Sequence, residues 1–301
     1  MISDIKIIEI FCKVDDFIQK YSTTIEKYSL AHPKKRKRKS KLSLSEVITI
    51  LILFQLSDYK TFKHFYISHV NQYMQDYFPD LVSYNRMVEL VSSAMLPMVI
   101  FLQHHGLGNA TGISFVDSTP IRVTHNRRIH SHKTFKGLAA RGHTSVGWFY
   151  GFKLHIVTND KGEILTFMLT PGNVDDREPL KNEAFTRKIF GKIFGDKGYI
   201  SKELFISLFE KGIHLITKLR KNSKEKTLTP LDDAIMLRKR AIIETIFDQL
   251  KNIFQIEHSR HRSVRNFITN LASALLAYSF MDKKPSIKRN FVDTKQLILP
   301  L

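Results

Sequence analysis

The stretch GLGNATGISFVDST, residues 106–119, divides the chain into two textures. Its first half is glycine and small polar residues that break regular structure. Its second half, ISFVDST, is a short β-rich run with Asp117 near its centre. Ahead of it every ordered-looking segment reads as helix. IKIIEIFCKVDDFI sets Ile7, Ile8, Phe11, Val14, Phe17 and Ile18 at helical spacing, so residues 1–31 form one or two amphipathic helices. Ser43-x-x-Glu46 is a capping box that opens a helix running through Leu56. YKTFKHFY and NRMVELVSSAMLPMVIFLQHH carry the helical reading to about residue 105.

Beyond the stretch, WFYGFKLHIVTNDKGEILTFMLTPG reads as a hairpin turning at Asn159-Asp160-Lys161-Gly162, with a glycine available for positive φ. A helix fits 176–190 with Asp175 or Asp176 near its cap, KIFGD is a strand, KELFISLFEKG a helix and HLITKL a strand. Residues 221–235 are polar and loop-like. RKRAIIETIFDQLK, Arg238 to Lys251, is then a helix whose apolar stripe is Ile243, Ile246, Phe247 and Leu250, continued by Phe254. FITNLASALLAYSF closes the ordered chain as a packing helix. Strand, strand, strand, helix, strand, helix, strand, helix is the order of an α/β, RNase H-like fold: a mixed five-stranded sheet with flanking helices. The predicted organisation is an all-helical N-terminal domain over 1–105, the α/β domain over 106–285 and a tail over 286–301.

Composition narrows the partner. Lys and Arg number 47 against 28 acids, a net charge of +19, and an excess of that size favours a polyanion, most often nucleic acid. HPKKRKRKSKLS packs seven basic residues into positions 34–41 and reads as an arm that tracks phosphates, with Lys35, Arg36 and Arg38 in it. From Ser118 to Asn159 there is no acid, while Arg122, Arg127, Arg128, Lys133, Lys136 and Arg141 crowd one loop; gripping phosphates is its natural role. Its histidines have no cysteine beside them and are read as facing phosphate or water rather than zinc. Arg260, Arg262 and Arg265 offer further contacts. The single cysteine, Cys12, excludes an internal disulfide and a cysteine-based zinc cluster. VITILILFQL, 47–56, is half the length of a membrane span, and the expectation is a bacterial-type cytoplasmic, nucleoid-associated protein with no membrane partner.

The carboxylates carry the chemistry. Asp117 lies on the first strand, Asp196 ends the fourth, and Glu244 sits on the helix after the fifth; in an RNase H-like sheet these positions converge. Three carboxylates suit Mg²⁺ or Mn²⁺, and two such ions stabilise the entering and leaving oxygens of a displacement at phosphorus. Each acid also has a local reading: Asp117 can cap a turn, Asp196 can make an Asx-turn with Gly198, and Glu244 can pair with Arg240 one turn away. Asp160 is explained by the hairpin, Asp175 and Asp176 by a helix start, and Asp248 as surface or support.

On these residues the chain resembles the DDE transposases of bacterial insertion sequences, in the branch whose third acid lies in a Tyr–Arg–Glu–Lys signature. Arg240, Glu244 and Lys251 fit its last three positions at the family's spacing, and Leu237 stands where the tyrosine would be. FVDST and GDKGY look like the first and second acid motifs. With GWFYGFKLH and TPGNVDDRE, the likeness is closest to the group named after insertion sequence 982, and it covers about 43–280. The resemblance implies metal-dependent cleavage of double-stranded DNA at transposon ends and joining of the freed 3′-hydroxyl to target DNA, by a homodimer on DNA. It makes Asp117, Asp196 and Glu244 the ligands of two Mg²⁺ or Mn²⁺ ions, and Arg240 and Lys251 contacts to end phosphates. Two other readings stay open: a DNA-binding protein derived from a transposase without catalysis, and an RNase H-like nuclease that cuts without joining.

Overall fold

The computed structural model describes residues 2–28, 40–218, 230–257 and 261–287. Lys35, Arg36, Arg38 and Arg260 lie outside the described residues, as does most of the tail. The N-terminal helices are α1 (Asp4–Tyr28), α2 (Leu44–Leu56), α3 (Phe62–Phe65), α4 (Asn71–Tyr73), α5 (Tyr84–Ser93) and α6 (Met95–Phe101), with wider turns at Tyr66–Val70 and Leu102–Gly106. α1 is one helix, and its buried stripe is Ile7, Ile10, Val14 and Phe17; Ile8 faces solvent. α2 starts at the expected capping box: the Glu46 N–H donates to Ser43 Oγ at 3.2 Å and the Ser43 N–H to Glu46 Oε2 at 2.6 Å, a cap worth about 1 kcal/mol. Residues 47–53 are buried on every side, as a helix apolar all round must be. The helix expected over 85–105 is bent by 56° after Ser93, because Pro97 has no N–H to return to the preceding turn.

The strands are β1 (Ile113–Thr124), β2 (Ala140–Thr144), β3 (Gly147–Asn159), β4 (Ile164–Pro171), β5 (Gly191–Gly195) and β6 (Ile213–Thr217). Between and after them come α7 (Glu178–Lys181), α8 (Glu183–Thr186), α9 (Lys202–Glu210), α10 (Leu231–Lys239), α11 (Ala241–Asp248) and α12 (Val264–Ser279). The sheet has six strands in the order β2–β3–β1–β5–β6, with β4 also on β3. β1 and β5, and β5 and β6, are parallel; the other pairs are antiparallel. β4 takes the Phe152–Thr158 part of β3 and β2 the Gly147–Gly151 part, so they share one edge of β3 end to end.

Three expectations are corrected here. The sheet has six strands rather than five, because ARGHT, read as part of a basic loop, is β2. Its arginine and histidine point to solvent and it holds no large apolar residue, so no periodicity announced it; β3 outruns β4 and leaves backbone groups for it to pair. The helix expected over 176–190 is two short ones, interrupted at Asn182, whose Oδ1 caps α8 by accepting the Ala184 N–H at 2.9 Å. The loop expected over 221–235 is already helical from Leu231, with Asp232 and Asp233 in the favourable first turn and buried Asp233 paired to Lys192 at 2.7 Å.

The sheet separates two apolar clusters. On one face Val116, Val157, Ile193 and Leu215 pack with Leu180, Phe185, Tyr199 and Leu204. On the other, Phe115, Ile121, Leu154 and Ile156 join α11, α12 and the N-terminal helices in one continuous core. α12 lies against α2, α5 and α6. Gly162 closes the β3–β4 hairpin at φ 75°, and a Cβ there would collide with the Pro285 carbonyl. The Gly162 carbonyl also accepts the buried Tyr278 hydroxyl at 2.6 Å. Gly162→Ala is therefore expected to lower stability by more than about 1 kcal/mol; an unchanged denaturant midpoint would contradict this placement.

Candidate active site

β1 and β5 are paired only from Ile113 to Phe115, opposite Lys192 to Phe194. Asp117 and Asp196 each follow two residues later, at the same level where the strands part. Parallel strands present ligand sites at such carboxyl ends. Asp117 Oδ1 accepts the Ser118 N–H at 2.8 Å. Its Oδ2 accepts Arg240 Nη1 at 3.0 Å, and Arg240 Nη2 donates to Glu244 Oε1 at 3.2 Å. Arg240 thus reaches back 123 residues in sequence and joins an acid on β1 to an acid on α11. Asp196 makes the Asx-turn with Gly198 at 2.8 Å, which uses one of its oxygens. A cavity of about 250 Å³ opens between Asp196, Lys197, Lys218, Leu237 and Arg240. A larger one, about 910 Å³ and walled by Gln55, Phe62, Tyr84 and Asn270 among others, lies among the helices away from the acids.

Electrostatics mark Asp117. Burial pushes its carboxyl up to about 6, and the charge of Asp196 adds to this; the Ser118 N–H and Arg240 oppose it. The native state holds this proton more tightly than the unfolded chain, so the stabilisation is full at low pH and is lost as pH rises through about 6. Relative to Asp117→Asn, the metal-free protein should lose stability between about pH 4 and 6; melting curves whose difference does not change over that window would contradict it. The Tyr199 phenol, from GDKGY, is buried without a hydrogen-bond partner. Its pKa is raised well above the ordinary value, by burial first and then by Asp117, Asp176 and Asp196.

Among the described residues no three His, Cys, Asp or Glu side chains close around one point; the positive charge between Asp117 and Glu244 is the Arg240 guanidinium. The donor set nevertheless fits a hard dication. It is all carboxylate oxygen, Asp117 is short of compensating charge, and the unpartnered Tyr199 hydroxyl is within electrostatic reach of two of the acids.

The basic residues fall in two groups. Arg122, Arg127, Arg128, Lys133, Lys136 and Arg141 are all exposed. Their segment is fixed from beneath by Phe135, which packs edge-on against Phe152 and Phe267, and Arg141 lies over the Trp148 ring at 5.1 Å. Lys251 is paired with Glu257 at 3.4 Å, further along the chain from Glu244. Lys133→Ala is expected to weaken binding to any duplex alike and to reduce the slope of log K against log salt by about 1; a sequence-selective loss would contradict a phosphate-only role. Sequence reasoning missed Lys197 and Lys218, which sit directly past the ends of β5 and β6. The signal was available, since each lysine follows a strand of a parallel pair. It also missed Asp176, Lys153 and Tyr199, whose neighbours are far away in sequence.

The family described as Transposase DDE domain matches residues 107–264, just over half of the chain, and the chain belongs to it. A search of curated proteins finds no match. Among solved structures, the cryo-EM structure of piggyBac transposase synaptic complex with hairpin DNA is similar at 10% identity, over 97% of this chain and 83% of that one, with a TM-score of 0.43.

Proposed function

We propose that this chain cuts double-stranded DNA at the ends of an insertion sequence and joins the freed 3′-hydroxyl to target DNA. The observation that carries the reading is the bridge of Arg240 between Asp117 and Glu244, with Asp196 level with Asp117 just past the end of the neighbouring strand. Asp117, Asp196 and Glu244 are the residues that would hold Mg²⁺ or Mn²⁺, as two ions. Bound there, the metal would supply charge stabilisation for phosphoryl transfer and an activated oxygen nucleophile. The sheet order β4–β3–β1–β5–β6, with only the last three strands parallel, supports the RNase H-like assignment. The division into a helical region over 1–105 and a catalytic domain over 106–285, action as a homodimer on DNA, membership of the insertion sequence 982 group and a bacterial cytoplasmic setting belong to the same proposal.

The chain's own residues do the following. In the free protein Arg240 shares one positive charge between Asp117 and Glu244. A DNA phosphate competes for its guanidinium, which suits bidentate contact, and that competition releases both carboxylates. Lys197 and Lys218 offer point charges to the same backbone at the mouth of the cavity. The exposed cations from Arg127 to Arg141 extend the contact along the duplex. Leu237 fills the tyrosine position of the signature and is buried, so a phenol can come to these acids only from elsewhere; Tyr199 feels the charges of Asp117 and Asp196.

The test uses the full chain with Mg²⁺ and a duplex carrying the terminal sequences that bound its own coding segment. Cleavage leaving a 3′-hydroxyl, abolished by chelation, is expected. DNA binding without any cleavage would return the reading to a non-catalytic DNA-binding protein.

A further inference from the structure

The sequence reads Asp175 and Asp176 as a helix start, but α7 begins after Arg177 with no side-chain cap. Asp175 Oδ1 accepts the Arg177 N–H at 2.9 Å and its carboxylate pairs with the same guanidinium. Asp176 instead turns to the sheet. Its Oδ1 accepts the Ser118 hydroxyl at 2.7 Å and Lys153 Nζ at 3.0 Å, and lies 4.0 Å from His155 Nδ1. Lys153 is mostly buried and is held from its other side by the Val174 carbonyl at 2.9 Å. His155, 1% exposed, is pinned through Nε2 to Thr170 Oγ1 at 2.8 Å.

The face on which this happens matters. Across β1 and β3, Ser118 lies opposite His155 and Pro120 opposite Lys153, while Asp117 lies opposite Ile156. Successive strand residues point to opposite faces, so Ser118, His155 and Lys153 share the face away from Asp117. Ile156 belongs to the cluster that holds α11, and Val116 and Val157 to the other cluster. Glu244 therefore reaches the strand from one side of the sheet and Asp176 from the other. Ser118 connects them: its hydroxyl goes to Asp176 while its N–H goes to Asp117 Oδ1. Ser118, Lys153, His155 and Thr170 are gathered around one carboxylate here, directly behind Asp117.

We propose that Asp176 is a positioning residue: with Lys153 it clamps Ser118, and through the Ser118 backbone it orients Asp117 to take a divalent cation. This rests on the metal-dependent reading given above. Groups that orient a metal ligand without touching the ion typically change metal affinity by about 10- to 100-fold.

The test is Mn²⁺ binding to the purified full chain, followed by electron paramagnetic resonance of free Mn²⁺, with melting curves as the fold control. Asp176→Ala should weaken Mn²⁺ by about tenfold or more, and Ser118→Ala, which leaves every carboxylate in place, should do the same. Asp176→Asn keeps an oxygen that accepts the Ser118 hydroxyl and should keep most of the affinity. Equal loss in Asp176→Asn and Asp176→Ala would make the charge itself decisive and overturn the positioning role. Wild-type affinity in Asp176→Ala, or in Ser118→Ala should the first fail to fold, would overturn it as well. A folded wild type that binds no Mn²⁺ overturns the metal-dependent reading together with this one, whereas unaffected variants beside a binding wild type overturn this one alone.

Discussion

Asp117→Asn is expected to lose DNA cleavage by at least about a thousandfold, the rate equivalent of the several kcal/mol that a metal site contributes. The same variant should be more stable than wild type in the metal-free state at neutral pH. The carboxyl pays for its place with a pKa raised to about 6, and removing its charge should recover about 1–3 kcal/mol. An amide keeps an oxygen for the Ser118 N–H or for Arg240, so the neighbours need not collapse. Inactivation accompanied by lower stability would mean that Asp117 is structural and the loss indirect.

Arg240→Met is the second large effect. In the free protein it leaves Asp117 and Glu244 without their shared cation, and Arg240 is only 21% exposed. The loss of stability should lie between the exposed and buried limits, at about 1–3 kcal/mol. Mn²⁺ should bind the DNA-free variant more tightly than it binds wild type, because no guanidinium competes for the carboxylates. Duplex affinity should fall, with a salt slope reduced by about 1. Weaker Mn²⁺ binding in this variant would show that Arg240 organises the acids rather than standing in for a cation.

What could be read in the sequence was whatever local chemistry dictates. The Ser43–Glu46 box, the hairpin ending at Gly162 and the apolar stripe of α11 each need only neighbours within a turn or two. Asp117, Asp196 and Glu244 are legible as strand, strand end and helix for the same reason; the strand order sets Asp117 level with Asp196, while Glu244 meets Asp117 only through Arg240. β2 was hidden because its existence depends on unpaired backbone of β3 rather than on its own residues. Asp175 and Asp176 are indistinguishable by pattern, yet one serves its own turn and the other a serine 58 residues away. Tyr199 belongs to GDKGY in the sequence, but its relation to three acids arises from the turn after β5 and has no sequence period.

The most direct measurement incubates the full chain, Mg²⁺, labelled end duplex and a target plasmid, for wild type beside Glu244→Gln. Wild type should produce both cut ends and plasmid-joined product, and Glu244→Gln neither. Undiminished cutting or joining by Glu244→Gln, in the same reaction and on the same ends, would contradict a site built from Asp117, Asp196 and Glu244.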